Sequence, residues 1–206
     1  EFKVSYLGPE GTYSESALLK QFGASIQKTP EDTIESVFES VTKNKGDFGI
    51  VPIENSTEGA INVTLDCLAD YDLTICGEVE LRIQHNLLGH NKPLPKEGFE
   101  IHAHEQTLAQ CKQWLDSYCP GINRVAVSSN AKAASNVSES NSVLAIAGEL
   151  AAEKYGLDIL EKGIEDFSSN TTRFVSIGNI NTDPTGADKT SLLVTTKNEP
   201  GALYKV

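Results

Sequence analysis

The feature that most restricts the fold is a regular alternation of short apolar runs with segments of helical periodicity. In the second half of the chain, extended stretches at 100–103, 123–127, 142–147 and 157–162 alternate with helical stretches at 104–115, 130–138 and 148–155. Strands that alternate with helices in this way form mainly parallel sheets covered by helices. The sequence therefore predicts an α/β protein.

A shorter version of the same pattern comes first. Strands are predicted at 3–7 and 48–52, and helices are predicted to begin after Thr12 and Thr29, where each threonine can cap the helix. The 206 residues are enough for one or two domains with a sizeable core.

Residues 73–89 separate the two patterns. They have no helical period and many branched side chains, which predicts a long extended segment or two strands in line. A loop rich in proline and glycine at 90–98 is expected to be a surface excursion. Residues 164–178 then return towards the first unit. We therefore expect two α/β subdomains around a central cleft, and clefts between lobes are favoured ligand sites.

Composition argues against some classes of function. Acidic residues outnumber basic residues by 29 to 17, and the net charge of −12 argues against binding to nucleic acid or to an anionic membrane surface. The four cysteines lack the spacing of a zinc site, which favours reduced thiols and a cytoplasmic location. Because no methionine is present, the sequence is expected to be a piece of a longer chain.

Four polar clusters fall at strand ends or helix starts, at residues 8–15, 54–59, 104–110 and 170–173. In the first cluster a glycine-rich turn leads into a helix with Thr12 and Glu15 as a capping box, and the free N–H groups of such a turn form a natural anion site. The alternative is a plain strand-to-helix turn. Convergence of the four clusters on one cleft is our hypothesis.

The last cluster places two hydrogen-bond donors and a guanidinium where a loop enters a strand. Asn170 and Thr172 can donate hydrogen bonds to a leaving oxygen, and Arg173 offers a planar fork suited to a carboxylate. Taken alone, this segment is more typical of a strand start with an exposed arginine. His102 and His104 have no acidic or cysteine partner at fixed spacing, so no metal site is predicted.

These clusters resemble the motifs of the prephenate dehydratase family. The matching segments are GPEGTYS at 8–14, VPIENS at 51–56, QTLAQC at 106–111 and TRF at 172–174. The likeness covers about residues 3–180. Two positions depart from the family pattern, because Ala103 stands at the place of a serine and Glu105 at the place of a proline.

The resemblance implies an enzyme that converts prephenate to phenylpyruvate, by loss of carbon dioxide and water, in phenylalanine biosynthesis. It implies no cofactor, an architecture like that of type II periplasmic binding proteins, a homodimer or tetramer, and L-phenylalanine as an allosteric inhibitor of the full-length protein. Arogenate dehydratase and a two-lobed binding module without catalysis are the alternatives. Whether a chorismate mutase domain precedes Glu1 stays open.

The resemblance also implies a division of the chain. Residues 1–180 are expected to form the catalytic domain, with one subdomain at about 1–75 plus 165–180 and the other at about 76–164. Residues 181–188 are expected to be a linker. Residues 189–206 resemble the start of an ACT regulatory domain, with a strand predicted at 189–196.

Site roles follow from the matched motifs. The expected catalytic residues are Thr172, Glu54, Asn55 and Gln110, and the expected substrate-binding residues are Arg173, Thr12, Ser14, Ser56, Asn170 and Phe174. Thr172 is expected to donate to the leaving hydroxyl. Glu54 is the candidate acid, provided that burial raises its pKa. Arg173 and the helix start at 12–14 are the expected partners of the substrate carboxylate.

Overall fold

The first lobe is built around a sheet with three parallel strands on one side. A computed structural model of the chain describes residues 1–90 and 98–205. The strands of this lobe are β1 (Lys3–Leu7), β2 (Gln27–Glu31), β3 (Phe48–Asn55), the short β4 (Gly59–Ala60), β5 (Thr74–Arg82) and β11 (Thr171–Gly178), and its helices are α1 (Tyr13–Phe22), α2 (Ile34–Thr42) and α3 (Asn62–Asp70). The strand order is β2-β1-β3-β11-β5, and β4 pairs with β3 outside this path.

The second lobe repeats the plan of the first. Its strands are β6 (Asn86–Gly89), β7 (Glu100–Ala103), β8 (Asn123–Ala126), β9 (Val143–Ala147) and β10 (Asp158–Glu161), in the order β10-β6-β9-β7-β8, and its helices are α4 (Glu105–Gln110), α5 (Lys112–Tyr118), α6 (Asn130–Glu139) and α7 (Glu149–Tyr155). In each sheet three parallel strands are followed by an antiparallel strand. The predicted architecture of two α/β lobes is confirmed.

Each lobe has its own hydrophobic core. Phe38 of α2 packs with strand residues such as Val51 in the first lobe, and Leu115 of α5 packs with Ile146 in the second lobe. Phe38, Leu115 and Ile146 are fully buried, and burying such a side chain contributes about 1.5–3 kcal/mol. Because each lobe is stabilised by its own core, the polar groups between the lobes are not needed for core packing and can form a site.

Two segments cross between the lobes, at residues 83–85 and 162–170. Strand β5 pairs antiparallel with β11 along its length, from Thr171 opposite Arg82 to Gly178 opposite Thr74. The subdomain boundary predicted at 75/76 is therefore wrong and lies after β5. The residue pattern predicted an extended region at 73–89, but only the pairing with β11 shows where it divides.

Two helix predictions also need correction. Residues 27–31 form strand β2 instead of opening a helix, and Pro30 is tolerated there because β2 is an edge strand. Helix α2 begins four residues later with Thr33 as its cap, since Thr33 Oγ1 accepts a hydrogen bond from Ser36 N at 3.0 Å. The helix predicted at 104–115 is divided into α4 and α5 at Cys111.

The segment after β11 is exposed and has little regular structure. The strand predicted at 189–196 is absent, and in the described part of this segment there is a single 3₁₀ turn at Leu203–Lys205. A strand needs a neighbour to satisfy its N–H and C=O groups, and no described strand pairs with these residues. Most of the predicted surface loop at 90–98 lies outside the described residues. Among the described helices, none has both the length and the apolar character needed to cross a bilayer.

Candidate active site

A cleft with a volume of about 750 Å³ lies between the two lobes. The ends of β3 and β1 and the starts of α1, α4, α6 and β11 form its walls. Seven of the predicted site residues line the cleft: Thr12, Ser14, Asn55, Gln110, Asn170, Thr172 and the buried Phe174. The structure therefore brings the four predicted polar clusters together.

Backbone N–H groups fix the orientation of the Asn55 amide. Asn55 Oδ1 lies 2.9 Å from Thr57 N and 3.1 Å from Glu58 N. A backbone N–H can only donate, so the atom that faces these two groups must be the carbonyl oxygen. The Asn55 NH₂ group consequently points in the other direction, towards β11.

The orientation of the Asn55 amide determines whether the Thr172 hydroxyl accepts or donates a hydrogen bond. Asn55 Nδ2 lies 2.8 Å from Thr172 Oγ1 and 2.9 Å from Asn170 Oδ1, so each of its two hydrogens has an acceptor. Thr172 Oγ1 accepts in this pair, and its own hydrogen has no acceptor among the described residues. Thr172 is 7% exposed at the cleft. Its hydroxyl hydrogen is therefore available to a ligand.

The same reasoning extends to Gln110. Because Asn170 Oδ1 accepts from Asn55, Asn170 Nδ2 must donate, and it lies 3.3 Å from Gln110 Oε1. Gln110 Nε2 then faces Thr57 Oγ1 and Glu58 Oε1, each at 3.4 Å. These contacts are long for hydrogen bonds. The Gln110 NH₂ group is therefore a second donor that a ligand in the cleft could engage.

The start of α1 forms the facing wall of the cleft. Thr12 Oγ1 accepts from Glu15 N at 3.4 Å, as predicted for a cap. The Glu15 carboxylate accepts from Gly11 N at 2.6 Å and pairs with Lys28. The N–H groups of residues 12–14 have no acceptor among the described residues, and the Ser14 side chain lies beside them in the cleft wall. This helix start can receive an anion.

Glu54 and Arg173 do not lie in the cleft. Successive residues of a strand point to opposite faces, so Arg173 faces away from the side that Thr172 occupies. Its guanidinium contacts Glu78 Oε2 at 2.9 Å and Glu54 Oε2 at 3.4 Å. The Glu54 side chain is 56% exposed. The acid role predicted for Glu54 therefore lacks the burial that it required, and the fork of Arg173 is already occupied by two carboxylates.

Ser56 also lies outside the cleft lining. Its hydroxyl accepts from Thr171 N at 2.9 Å and donates to Ser169 O at 3.2 Å, so it ties the loop before β11 to the end of β3. The two departures from the family pattern lie outside the lining as well, because Ala103 is fully buried at the end of β7 and Glu105 is exposed at the start of α4.

Two residues that the sequence did not single out contribute to this region. Lys132, in the first turn of α6, is the one lysine or arginine among the described lining residues and has no ion-pair partner among them. His85 is 2% exposed and contacts both Tyr13 and Gln110. Burial lowers the pKa of His85. Lys132 follows a Ser-Ser-Asn turn before a helix, the same kind of signal as residues 8–15, whereas His85 resembled a core residue.

The prephenate dehydratase family profile matches residues 4–182, which is most of the chain. The chain belongs to the prephenate dehydratase family. It is 50% identical over 204 residues to the bifunctional chorismate mutase/prephenate dehydratase of Pseudomonas aeruginosa, a match that covers 99% of this chain and 56% of that protein. It is 37% identical over 212 residues to the prephenate dehydratase of Methanocaldococcus jannaschii, with 98% and 75% covered.

A solved structure agrees with this assignment. The prephenate dehydratase of Arthrobacter aurescens, in complex with L-Phe, superposes with a TM-score of 0.85 at 29% identity, and the match covers 98% of this chain and 69% of that chain. The chain spans 56% of the length of the bifunctional relatives that it matches.

Proposed function

We propose that this chain catalyses the conversion of prephenate to phenylpyruvate, as a carbon–oxygen lyase of L-phenylalanine biosynthesis. The observation that carries the proposal is the unused hydroxyl hydrogen of Thr172, at the end of a network whose direction is set by backbone N–H groups. The family membership supports the same reaction. The proposal assigns the chemistry to the cleft between the lobes.

The reaction breaks two bonds of the substrate and makes its ring aromatic. The electron pair of the bond to the ring carboxylate enters the ring as carbon dioxide leaves, and the ring hydroxyl departs with the electrons of its C–O bond. Negative charge therefore develops on that oxygen, where a fixed donor stabilises it. We assign this hydrogen bond to Thr172, whose oxygen accepts from Asn55. Because a threonine hydroxyl is too weak an acid to lose its proton outright, the proton that makes water must come through a bound water or a relay.

The cleft also offers partners for the two carboxylates of prephenate. The N–H groups of residues 12–14 and the Ser14 hydroxyl can hold one of them. Lys132 provides the nearby positive charge that was expected of Arg173. Asp32 and Glu58 also line the cleft, so a dianion would be attracted only near Lys132 and the helix start. This asymmetry would orient the ring with respect to Thr172. The chemistry itself requires no cofactor.

The remaining expectations concern the whole protein. We propose that residues 189–206 begin an ACT domain, that the full-length protein is inhibited by L-phenylalanine, and that it acts as a homodimer or tetramer in the cytoplasm. The structural relative in complex with L-Phe supports the regulatory part. Arogenate remains the alternative substrate, because an amino group in place of the ketone changes only one or two contacts.

An assay with both substrates tests the proposed activity. The protein is incubated with prephenate and, separately, with arogenate, and phenylpyruvate and phenylalanine are measured. We expect phenylpyruvate from prephenate, a loss of kcat of about 10²-fold or more in Thr172→Ala, and a smaller loss in the matched variant Thr172→Ser, which keeps the hydroxyl. Absence of product from either substrate would favour the binding module, and an unchanged kcat in folded Thr172→Ala would exclude the donor role.

A further inference from the structure

His85 lies on the first crossing segment, where the two lobes and the cleft meet. Its Nε2 is 2.7 Å from Gln110 Oε1, and its Nδ1 is 2.8 Å from the Tyr13 hydroxyl. Tyr13 belongs to the first lobe and Gln110 to the second. The imidazole therefore joins a residue of one lobe to a cleft donor of the other.

The hydrogen-bond network assigns the tautomer of this imidazole. Gln110 Oε1 must accept, because Asn170 Nδ2 donates to it. His85 Nε2 therefore carries a hydrogen, and in the neutral ring Nδ1 carries a lone pair that faces the Tyr13 hydroxyl. The Tyr13 hydroxyl also lies 2.9 Å from Gln84 O, but its single hydrogen can serve only one acceptor at a time. Donation to His85 Nδ1 is the arrangement that keeps Gln110 in place.

The other tautomer, with the hydrogen on Nδ1, would reverse the orientation of the Gln110 side-chain amide. A hydrogen on Nδ1 would leave the lone pair of Nε2 against Gln110 Oε1, and two acceptors at 2.7 Å repel each other. If the Gln110 amide rotated to relieve this, its NH₂ group would face Asn170 Nδ2, which is also a donor. Its carbonyl oxygen, instead of its NH₂ group, would then face the cleft near Glu58.

We propose that His85 is a positioning residue: Tyr13 holds it as the Nε2–H tautomer, and in this form it keeps the Gln110 NH₂ group directed into the cleft. This inference deepens the proposed function and rests on it for its catalytic consequence. His85 belongs to the cleft lining, but both of its ring nitrogens are occupied by Tyr13 and Gln110, so it acts through Gln110. The Gln110 carbonyl oxygen thus accepts hydrogen bonds from two buried groups, the imidazole of His85 and the side-chain amide of Asn170.

A double-mutant cycle tests whether His85 acts through Gln110. His85→Phe is expected to lower kcat about ten- to hundredfold, since a misdirected donor costs this much, whereas His85→Gln, which retains a donor towards Gln110, should recover most of the loss. In a Gln110→Ala background, His85→Phe should lower kcat by less than about threefold further. Additive losses would overturn the proposal. His102→Gln is the matched control, because His102 contacts Glu100 and Asn136 away from the cleft lining.

Side-chain ¹⁵N NMR of His85 gives a readout that does not depend on activity. We expect the Nε2–H signature at neutral pH, and a measurable population of the Nδ1–H form in Tyr13→Phe, which keeps the ring but removes the hydroxyl. An Nδ1–H signature in the unsubstituted protein would refute the inference. If this protein turned over neither prephenate nor arogenate but showed Nε2–H, the proposed function would fail while the tautomer assignment stood.

Discussion

Asn55→Asp changes a single group in the site and reverses the direction of one hydrogen bond. The substitution replaces Nδ2 by a carboxylate oxygen of similar size, while the other oxygen can still accept from Thr57 N and Glu58 N. The new oxygen would lie where Nδ2 now lies, 2.8 Å from Thr172 Oγ1. Thr172 would then donate its hydrogen to the introduced carboxylate instead of to the substrate.

The expected loss follows from that lost donor. Removing one donor to a developing oxyanion reduces kcat by about 10²–10³, or about 2.7–4 kcal/mol. The substitution also sets a carboxylate oxygen against Asn170 Oδ1, which lies 2.9 Å from the replaced nitrogen. An unsatisfied buried acceptor costs about 1–3 kcal/mol of folding free energy. Both the rate and the stability should therefore fall.

Steady-state kinetics with prephenate, together with thermal unfolding, separates the two effects. Asn55→Ala is the comparison, because it removes the anchor but leaves the Thr172 hydrogen free to reach the substrate. We expect the isosteric aspartate variant to lose more kcat than the alanine variant. A folded Asn55→Asp protein that kept kcat within about threefold of the unsubstituted protein would refute the assignment of Thr172 as the donor.

Three further predictions concern charge. Lys132→Gln should raise KM for prephenate about tenfold or more with a smaller change in kcat, because a hydrogen bond to a charged group contributes about 1.5–3 kcal/mol. The matched variant Lys132→Arg keeps the charge and should retain most of the affinity. Equal KM values for the unsubstituted protein and both variants would show that Lys132 does not bind the substrate. Arg173→Lys should lower the melting temperature and leave KM unchanged, since the guanidinium pairs with two carboxylates outside the cleft; a raised KM without loss of stability would restore its substrate role. Burial lowers the pKa of His85 in the folded protein, so the unfolded state binds a proton more readily. The free energy of unfolding should therefore decrease as pH falls below about 6.5. Urea unfolding at several pH values should show that the free energy of unfolding depends less on pH in His85→Gln.

The alternation of apolar and helical stretches was enough to predict the α/β class and the two lobes, because that pattern reflects burial of each element separately. It did not place β5, because its membership of the first sheet depends on pairing with β11, about a hundred residues away. The start of α2 was misplaced for a local reason. Thr29 followed by Pro30 and Thr33 followed by Ile34 are both plausible helix starts, and the pairing of β2 with β1 decides between them.

The polar residues of the cleft were predicted more reliably than their roles. Thr172 and Arg173 are neighbours in sequence, and their shared motif suggested a shared site. The period of two in a strand already indicates that they face opposite sides, so this error was avoidable. The role of His85 could not be predicted, because nothing in the extended stretch at 73–89 distinguishes a histidine that orients a cleft amide from one that fills a core.

The two crossing segments have a mechanical consequence. If the lobes rotate apart to admit a ligand, the crossing segments are the axis, and displacement grows with distance from an axis. His85 lies on one of these segments, and Asn170 and Thr172 lie at the end of the other. Lys132 lies on α6, outside both crossing segments, whereas the start of α1 is bonded to the first of them through the Tyr13 hydroxyl. Opening would thus move Lys132 away from the start of α1, while the donors that face the departing oxygen keep their positions relative to each other.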